Sequence, residues 1–269
     1  RPLEERFDAG TVSFVNRIKK RKKHLTKWAK RSGVSSFRIY DADLPDYNVV
    51  VDFYENQWVM VQEYAPPKEI EQDLADKRVK DIMTVLPEVL QIDRSHIFFK
   101  TRRKQSGKSQ YDKFSKEGKR EVMHEGDSKF WVNFTDYLDT GIFLDHRIVR
   151  SMIKEKAQNR KFLNLFCYTG TATVHAAAGG AKSTVSVDAS KTYIDWARDN
   201  MALNGFGERK HKYIKEDCFT FLKSCRDRFD LIFLDPPTFS NTKSTRSTFD
   251  IQRDHVILIK LAAEILELD

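Results

Sequence analysis

From about Arg160 onward the chain alternates short apolar runs with helical stretches, and this alternation constrains the fold more than any other feature. The run KFLNLF (161–166) precedes a helix from about Thr171, and STVSVD (183–188) precedes one over about Lys191–Leu203. HKYIK (211–215) leads into a short helix near Cys218–Ser224, and FDLIFLD (229–235) into a long one over about Phe249–Leu266. Repeated strand–helix units imply a parallel, doubly wound α/β sheet. The LIFL run (231–234) is apolar on both faces, which predicts a central strand covered on both sides. Since the chain supplies neighbours for one side only, about three further strands are expected beyond Asp269. A start at Arg1 without an initiator Met points the same way, to a piece of a longer polypeptide.

An open α/β sheet binds ligands at the carboxyl ends of its strands. The first strand runs into NLFCYTGTATVHAAAGGA, where Gly170 is the one glycine of the turn, so the three-glycine dinucleotide fingerprint is missing. The second strand ends in Asp188, eighteen residues beyond Gly170, where an acid can bind ribose hydroxyls. The third ends in Asp217, within reach of an adenine amino group, and the fourth in Asp235. A lone aspartate at a strand end is often just a helix N-cap. Four successive strands ending in polar or acidic turns form a series, and the series suits S-adenosylmethionine better than NAD. The turn lacks glycines for close approach of a pyrophosphate, while an ammonium and a sulfonium favour acids and carbonyls.

The net charge of +8 is concentrated in two blocks. Residues 17–31 carry nine Lys/Arg and no acid; residues 100–120 carry nine against Asp112 and Glu117, which leaves −8 for the rest. Basic blocks on an otherwise acidic chain suit a phosphate-rich partner, and Tyr111 and Phe114 interleave the second. The first block reads as a helix (15–31) ended by Gly33. A small α+β unit follows, with strands at FRIY (37–40), NVVVDFY (48–54) and QWVMVQEY (57–64), the last two joined by a hairpin at Glu55–Asn56. A helix is predicted over 69–90, ended early by Pro87, and further strands at HIFFK (96–100) and KFWVNF (129–134). Cys167, Cys218 and Cys225 lack CxxC spacing, which suggests reduced thiols in a cytoplasmic protein and no metal centre. No apolar run approaches the roughly 20 residues of a membrane span.

The segments NLFCYTGTATVHAAAGGA, VDAS, EDCFTFL and DPPTFS resemble motifs of class I S-adenosylmethionine-dependent RNA methyltransferases. DYLDTGIFLDHR (136–147) resembles the segment ahead of the Rossmann-like domain in 23S rRNA cytosine-C5 and guanine-N7 methyltransferases. RIYDADLPDYNVVVD, QEYAPPK and KTRRKQSGKSQYDK narrow the resemblance to the guanine-N7 half of the bifunctional bacterial 23S rRNA guanine methyltransferases. It covers almost the whole chain. It implies a basic N-terminal helix and linker (1–34), a small α+β RNA-binding subdomain (35–135) and a Rossmann-like methyltransferase domain (136–269). It also implies a second methyltransferase or RNA-binding region upstream in the same polypeptide. Carried over by position, Phe166, Cys167, Tyr168, Thr169, Gly170 and Thr171 wrap the methionine end of the cofactor. Asp188, Ala189 and Ser190 hold the ribose, Asp217, Cys218 and Phe219 the adenine, and Phe143, Asp145 and Arg147 close the pocket.

Methyl transfer from a sulfonium is an in-line displacement that mainly requires placement of the acceptor lone pair. Guanine N7 carries a lone pair and no proton, so no general base is needed. The product ring is cationic, so the Asp235 carboxylate can stabilise the developing charge. Pro236 and Pro237 offer carbonyls only, and Phe239 is placed to stack on a base. Candidate RNA contacts are Lys19, Lys20, Arg21, Lys22 and Lys23 on the basic helix, and Arg102, Arg103, Lys104, Lys108, Tyr111 and Lys113 in the loop. Cytosine-C5 transfer, which needs a cysteine nucleophile, and guanine-N2 transfer are competing chemistries. A non-catalytic RNA-binding module with a degenerate methyltransferase fold is the alternative of another class.

Overall fold

The computed structural model describes residues 2–64, 71–102, 118–240 and 249–267. After a short helix α1 (Leu3–Arg6), the basic block forms α2 (Ala9–Ser32). Asp8 caps its start by accepting from the Thr11 N–H at 2.9 Å, and Gly33 ends it in the left-handed conformation at φ 62°. Three antiparallel strands follow, β1 (Phe37–Asp41), β2 (Val49–Tyr54) and β3 (Trp58–Tyr64). The turn between β2 and β3 places Glu55 and Asn56 at φ 54° and 53°, the conformation of a two-residue hairpin whose twist matches its strands.

Helix α3 (Gln72–Leu90) crosses over to β4 (Ile97–Arg102), which pairs parallel to β3. The helix runs through Pro87, contrary to the expected early stop. Proline forfeits one backbone bond there, while Leu86 and Leu90 on either side are wholly buried. Their burial holds the last turn, and Gln91 at φ 57° then closes the helix by donating to the Pro87 carbonyl. Phe14, Val15 and Ile18 of α2 share this core with Ile82, Val85 and Leu86 of α3 and the inner faces of β1–β3.

A hairpin comes next: β6 (Ser128–Val132), the strand expected at KFWVNF, pairs antiparallel with β5 (Glu121–Glu125), which the sequence reading lacks, and a helical turn over 144–146 and α4 (Arg147–Lys156) follow. The alternating region then forms β7 (Lys161–Leu165), α5 (Thr171–Ala178), β8 (Ser183–Asp188), α6 (Lys191–Leu203), β9 (His211–Lys215), α7 (Cys218–Ser224) and β10 (Leu231–Leu234). Two-residue strands β11 (Phe239–Ser240) and β12 (Phe249–Asp250) pair antiparallel ahead of α8 (Ile251–Glu264). The order β10-β7-β8-β9 is fully parallel, as the alternation predicts. The chain is thus a mixed α/β molecule with a Rossmann-like sheet. β10 is half-buried along its length rather than covered on both faces. On its outer side the partner among the described residues is a single bridge, Phe229 with Leu266.

Phe130 and Val132 of β6 share a core with Tyr54 and Met60 of the first sheet and with Val174 and Met201 of α5 and α6. The hairpin is fastened to α6 by carboxamides: Asn200 accepts from the Trp131 N–H at 2.8 Å, and Asn204 from the Lys129 N–H at 2.8 Å.

Candidate active site at the strand ends

Parallel strands in register bring the ends of β7, β8, β9 and β10 to one margin of the sheet, so the four turns named from sequence are neighbours. The turn after β7 is the most constrained. Phe166, Tyr168 and Gly170 all have positive φ, at 54°, 50° and 72°. For the two non-glycine residues such a conformation costs on the order of 1 kcal/mol or more each, and it persists only where surroundings enforce it. Here they do. The Phe166 N–H meets the Cys218 Sγ at 3.2 Å, the Cys167 N–H the Val187 carbonyl at 3.0 Å, and the Tyr168 N–H the Asp188 Oδ2 at 3.0 Å. The Asn200 carboxamide donates to the Thr169 carbonyl at 2.8 Å, and the Thr169 hydroxyl donates to the Gly141 carbonyl at 2.5 Å.

Gly170 is required on two counts. Its φ disfavours a side chain, and a Cβ there would lie 2.7 Å from that of Ala197, where the turn packs on α6. Cys167 and Thr169 are buried, so their side chains hold the turn from within; Thr171 opens α5, half-buried. The buried Cys167 and Cys218 thiols, like the less covered Cys225, are pushed above the ordinary thiol range by desolvation. None of the three is an activated thiolate.

Asp188 ends β8 with both oxygens engaged. One accepts from Tyr168 N–H, the other from the Ser190 N–H at 2.8 Å. Burial nonetheless pushes its pKa up to about 6, against the pull of those two N–H groups. Ala189 is half-buried, and the Ser190 hydroxyl caps α6 by accepting from the Tyr193 N–H at 3.4 Å. Asp217 is the N-cap of α7, accepting from the Thr220 N–H at 3.0 Å. Phe219 and Phe166 both lie against Phe249, each with ring centroids 5.8 Å away.

Asp235 stands half-open after β10, and Pro236 and Pro237 beside it are half-buried. Burial raises its pKa, Asp145 adds to the rise, and His146 opposes it from 3.4 Å. The Phe143 ring is partly exposed and lies against Tyr168, 5.3 Å between centroids, as well as His146 at 5.7 Å. Arg147 departs from its expected place. Its guanidinium sits 5.0 Å over the Trp28 ring of α2, tying the basic helix to the start of α4 rather than closing a pocket. The side chain of Phe239 lies outside the described residues.

The basic candidates divide. Lys19, Lys20 and Lys23 are exposed on α2. Arg21 instead donates to the Ile39 carbonyl at 2.8 Å, and Lys22 to the Leu90 carbonyl at 2.6 Å, so both fasten α2 to its own subdomain. Arg102 is paired with Asp139 and Gln62, and the buried Lys100 beside it meets the Tyr137 carbonyl. Arg103, Lys104, Lys108, Tyr111 and Lys113 lie outside the described residues. Asn200 and His146, both missed in the sequence, act on backbone or on another side chain. No local spacing rule marks such residues.

A doubly wound parallel sheet with acids at the ends of β8, β9 and β10, and no glycine-rich phosphate turn, defines a class I methyltransferase. Residues 40–266 match the family model of S-adenosylmethionine-dependent methyltransferases, and the chain belongs to that family. A ribosomal RNA large subunit methyltransferase K/L from Pseudomonas fluorescens is 51% identical over 259 residues, covering 96% of this chain and 34% of that protein. The protein of the same name from Methylococcus capsulatus is 52% identical, covering 94% and 35%. The chain therefore spans about a third of the length of these curated relatives. Among solved structures, the methyltransferase SMU.776 complexed with SAH superposes with a TM-score of 0.78 at 24% identity, over 96% of this chain and 66% of that one. The family's cofactor is S-adenosylmethionine, and the donor set fits it. Asp188 offers a carboxylate braced by backbone N–H groups, and Asp235 a half-open carboxyl beside His146. No cluster of three or more metal-ligating side chains occurs among the described residues. No helix among them is long and apolar enough to cross a membrane.

Proposed function

We propose that this chain transfers a methyl group from S-adenosylmethionine to guanine N7 in 23S ribosomal RNA, acting in the cytoplasm as one part of a longer polypeptide with a further RNA-modifying or RNA-binding region upstream. The observation that carries the RNA substrate is the identity of 51–52% with two large-subunit rRNA methyltransferases over nearly the whole chain. In this reading the turn 166–171 receives the methionine end, Asp188, Ala189 and Ser190 the ribose, and Asp217, Cys218 and Phe219 the adenine side. Phe143 and Asp145 form the wall opposite Asp235. The bound cofactor supplies an electrophilic methyl on sulfur.

The protein's own part is placement and charge. Asp235, next to two carbonyl-only residues, faces the purine as it becomes cationic. Phe239 stacks on the base, and the exposed Lys19, Lys20 and Lys23, with the residues 103–113, hold flanking phosphates. The layout 1–34, 35–135 and 136–269 assigns RNA binding to the first two segments and chemistry to the third. Direct transfer to a ring nitrogen suits this site because all three cysteines are held away from the thiolate form.

Methylation of defined 23S rRNA fragments by the full-length protein, followed by nucleoside mass spectrometry, tests the product. 7-Methylguanosine is expected. 5-Methylcytidine or N2-methylguanosine dependent on this chain's Asp235 overturns the assignment, and cofactor binding without transfer to any RNA favours the non-catalytic module. Replacing Lys19, Lys20 and Lys23 by Gln should flatten the salt dependence of RNA binding by roughly 0.7–0.9 in log–log slope for each phosphate no longer neutralised.

A further inference from the structure

The turn ahead of α4 carries a residue to which the sequence resemblance assigned nothing. His146 directs Nδ1 at the Asp235 Oδ2 from 3.4 Å. Both side chains are partly open, at 32% and 40% exposure, so the pair borders solvent or a ligand rather than lying in the core.

The turn that presents His146 is braced from three sides. The guanidinium of Arg150, itself buried, donates to the Phe143 carbonyl at 2.9 Å and holds Glu125 of β5 through two bonds of 2.7 Å. Arg147 is seated on Trp28 of α2. The Phe143 ring stands between the His146 and Tyr168 rings. A loop held at its first residue, at the residue after His146 and one helical turn further on has little freedom to swing the imidazole away.

We propose that His146 is a positioning residue of the methyl-transfer site, holding the Asp235 carboxylate ionised and oriented toward the acceptor base. This rests on the reading of Asp235 given above. Among the described residues, the titratable groups that act on Asp235 are His146 and Asp145, both from this turn. Their effects oppose one another: the second acid disfavours ionisation of Asp235, and an imidazolium favours it. Burial is the largest influence on Asp235 and leaves its pKa raised on balance, and His146 offsets part of what burial and Asp145 impose. Removing it leaves two carboxyls and a desolvated site, and Asp235 then takes up a proton at higher pH.

The experiment is the pH dependence of methyl transfer by the full-length enzyme, compared for wild type, His146→Ala, His146→Asn, Asp235→Asn and the His146→Ala/Asp235→Asn double variant. His146→Asn fills the space without the charge and guards against a packing effect. The acid limb of kcat should move up by about one pH unit in both His146 variants, a roughly tenfold loss on that limb, with affinity for S-adenosylmethionine by calorimetry within about threefold of wild type. In the Asp235→Asn background, removing His146 should change nothing further. An unmoved acid limb, a shift that persists in the Asp235→Asn background, or a loss confined to cofactor affinity overturns the proposal. Should the wild type transfer no methyl group to RNA, the functional reading has failed. The pair is then read from the thermal unfolding of the same four variants at pH 5, where additive effects refute it and coupling supports it.

Discussion

Asp188 and Asp235 stand at the ends of two strands of one sheet, separated in the strand order only by β7, yet they are built in opposite ways. Asp188 spends both oxygens on backbone N–H groups of the turns it joins. Asp235 receives no such brace among the described residues and instead confronts a histidine and a second acid. The first arrangement assembles a binding surface before any ligand arrives. The second leaves a carboxylate whose charge is poorly compensated until a cation appears. Binding energy realised only as charge develops is the kind that accelerates chemistry, which is why we assign the cofactor to one and the transfer step to the other.

The largest expected effect is that of Asp235→Asn. If Asp235 acts on developing charge, kcat falls by about 10²–10³ while cofactor affinity stays within a few-fold. Single-turnover kinetics alongside calorimetry separates the two. The mirror result, weak binding with a normal rate for the bound complex, would falsify the division of labour.

Asp188→Ala comes next and should show that opposite pattern. It removes the acceptor of the Tyr168 and Ser190 N–H groups as well as a ribose partner, so affinity for S-adenosylmethionine should fall about a hundredfold. Asn200→Ala probes the same brace one step further out. It strips the Thr169 carbonyl and the Trp131 N–H of their partner at a fully buried position, and should cost about 1–3 kcal/mol in chemical denaturation. If the turn after β7 is as dependent on its neighbours as its two non-glycine positive φ angles imply, cofactor affinity falls with it. Stability lost with affinity intact would mean that the turn holds its own shape.

These braces are also what the sequence hides. The strand–helix alternation and the polar or acidic turn at each strand end, three of them with an aspartate, are local patterns, and they located all four turns. The alternation worked because parallel strands are read from continuous apolar runs. β6 is legible in the KFWVNF run, but its partner β5 is not, and the hairpin's attachment through Asn200 and Asn204, some seventy residues away, runs by side chain to backbone bonds that leave no periodicity. Pro87 misled because one missing bond was weighed without the burial of Leu86 and Leu90. Counting charges correctly marked α2 as basic but could not separate Lys19, Lys20 and Lys23, which face outward, from Arg21 and Lys22, which satisfy carbonyls of β1 and α3. His146 lay between two residues chosen by resemblance, and only the fold brings it to Asp235.

The smallest effect tests the comparison through protons. The Asp188 carboxyl is raised from the ordinary value near 3.9 to about 6, chiefly by burial. An acid whose pKa is higher folded than unfolded stabilises the fold fully below about pH 4, and that contribution is lost as pH rises through 6. Ligand-free wild type should therefore lose stability between about pH 4 and 6 relative to Asp188→Asn, by less than about 3 kcal/mol for a rise of about two pH units. Ribose hydroxyls donate to the ionised form, so cofactor binding near pH 6 should expel a fraction of a proton. Calorimetry in two buffers of different ionisation enthalpy reads that fraction directly. It should vanish in Asp188→Asn and survive in Asp235→Asn, because the carboxylate we assign to the ribose is the one already wrapped in backbone N–H groups.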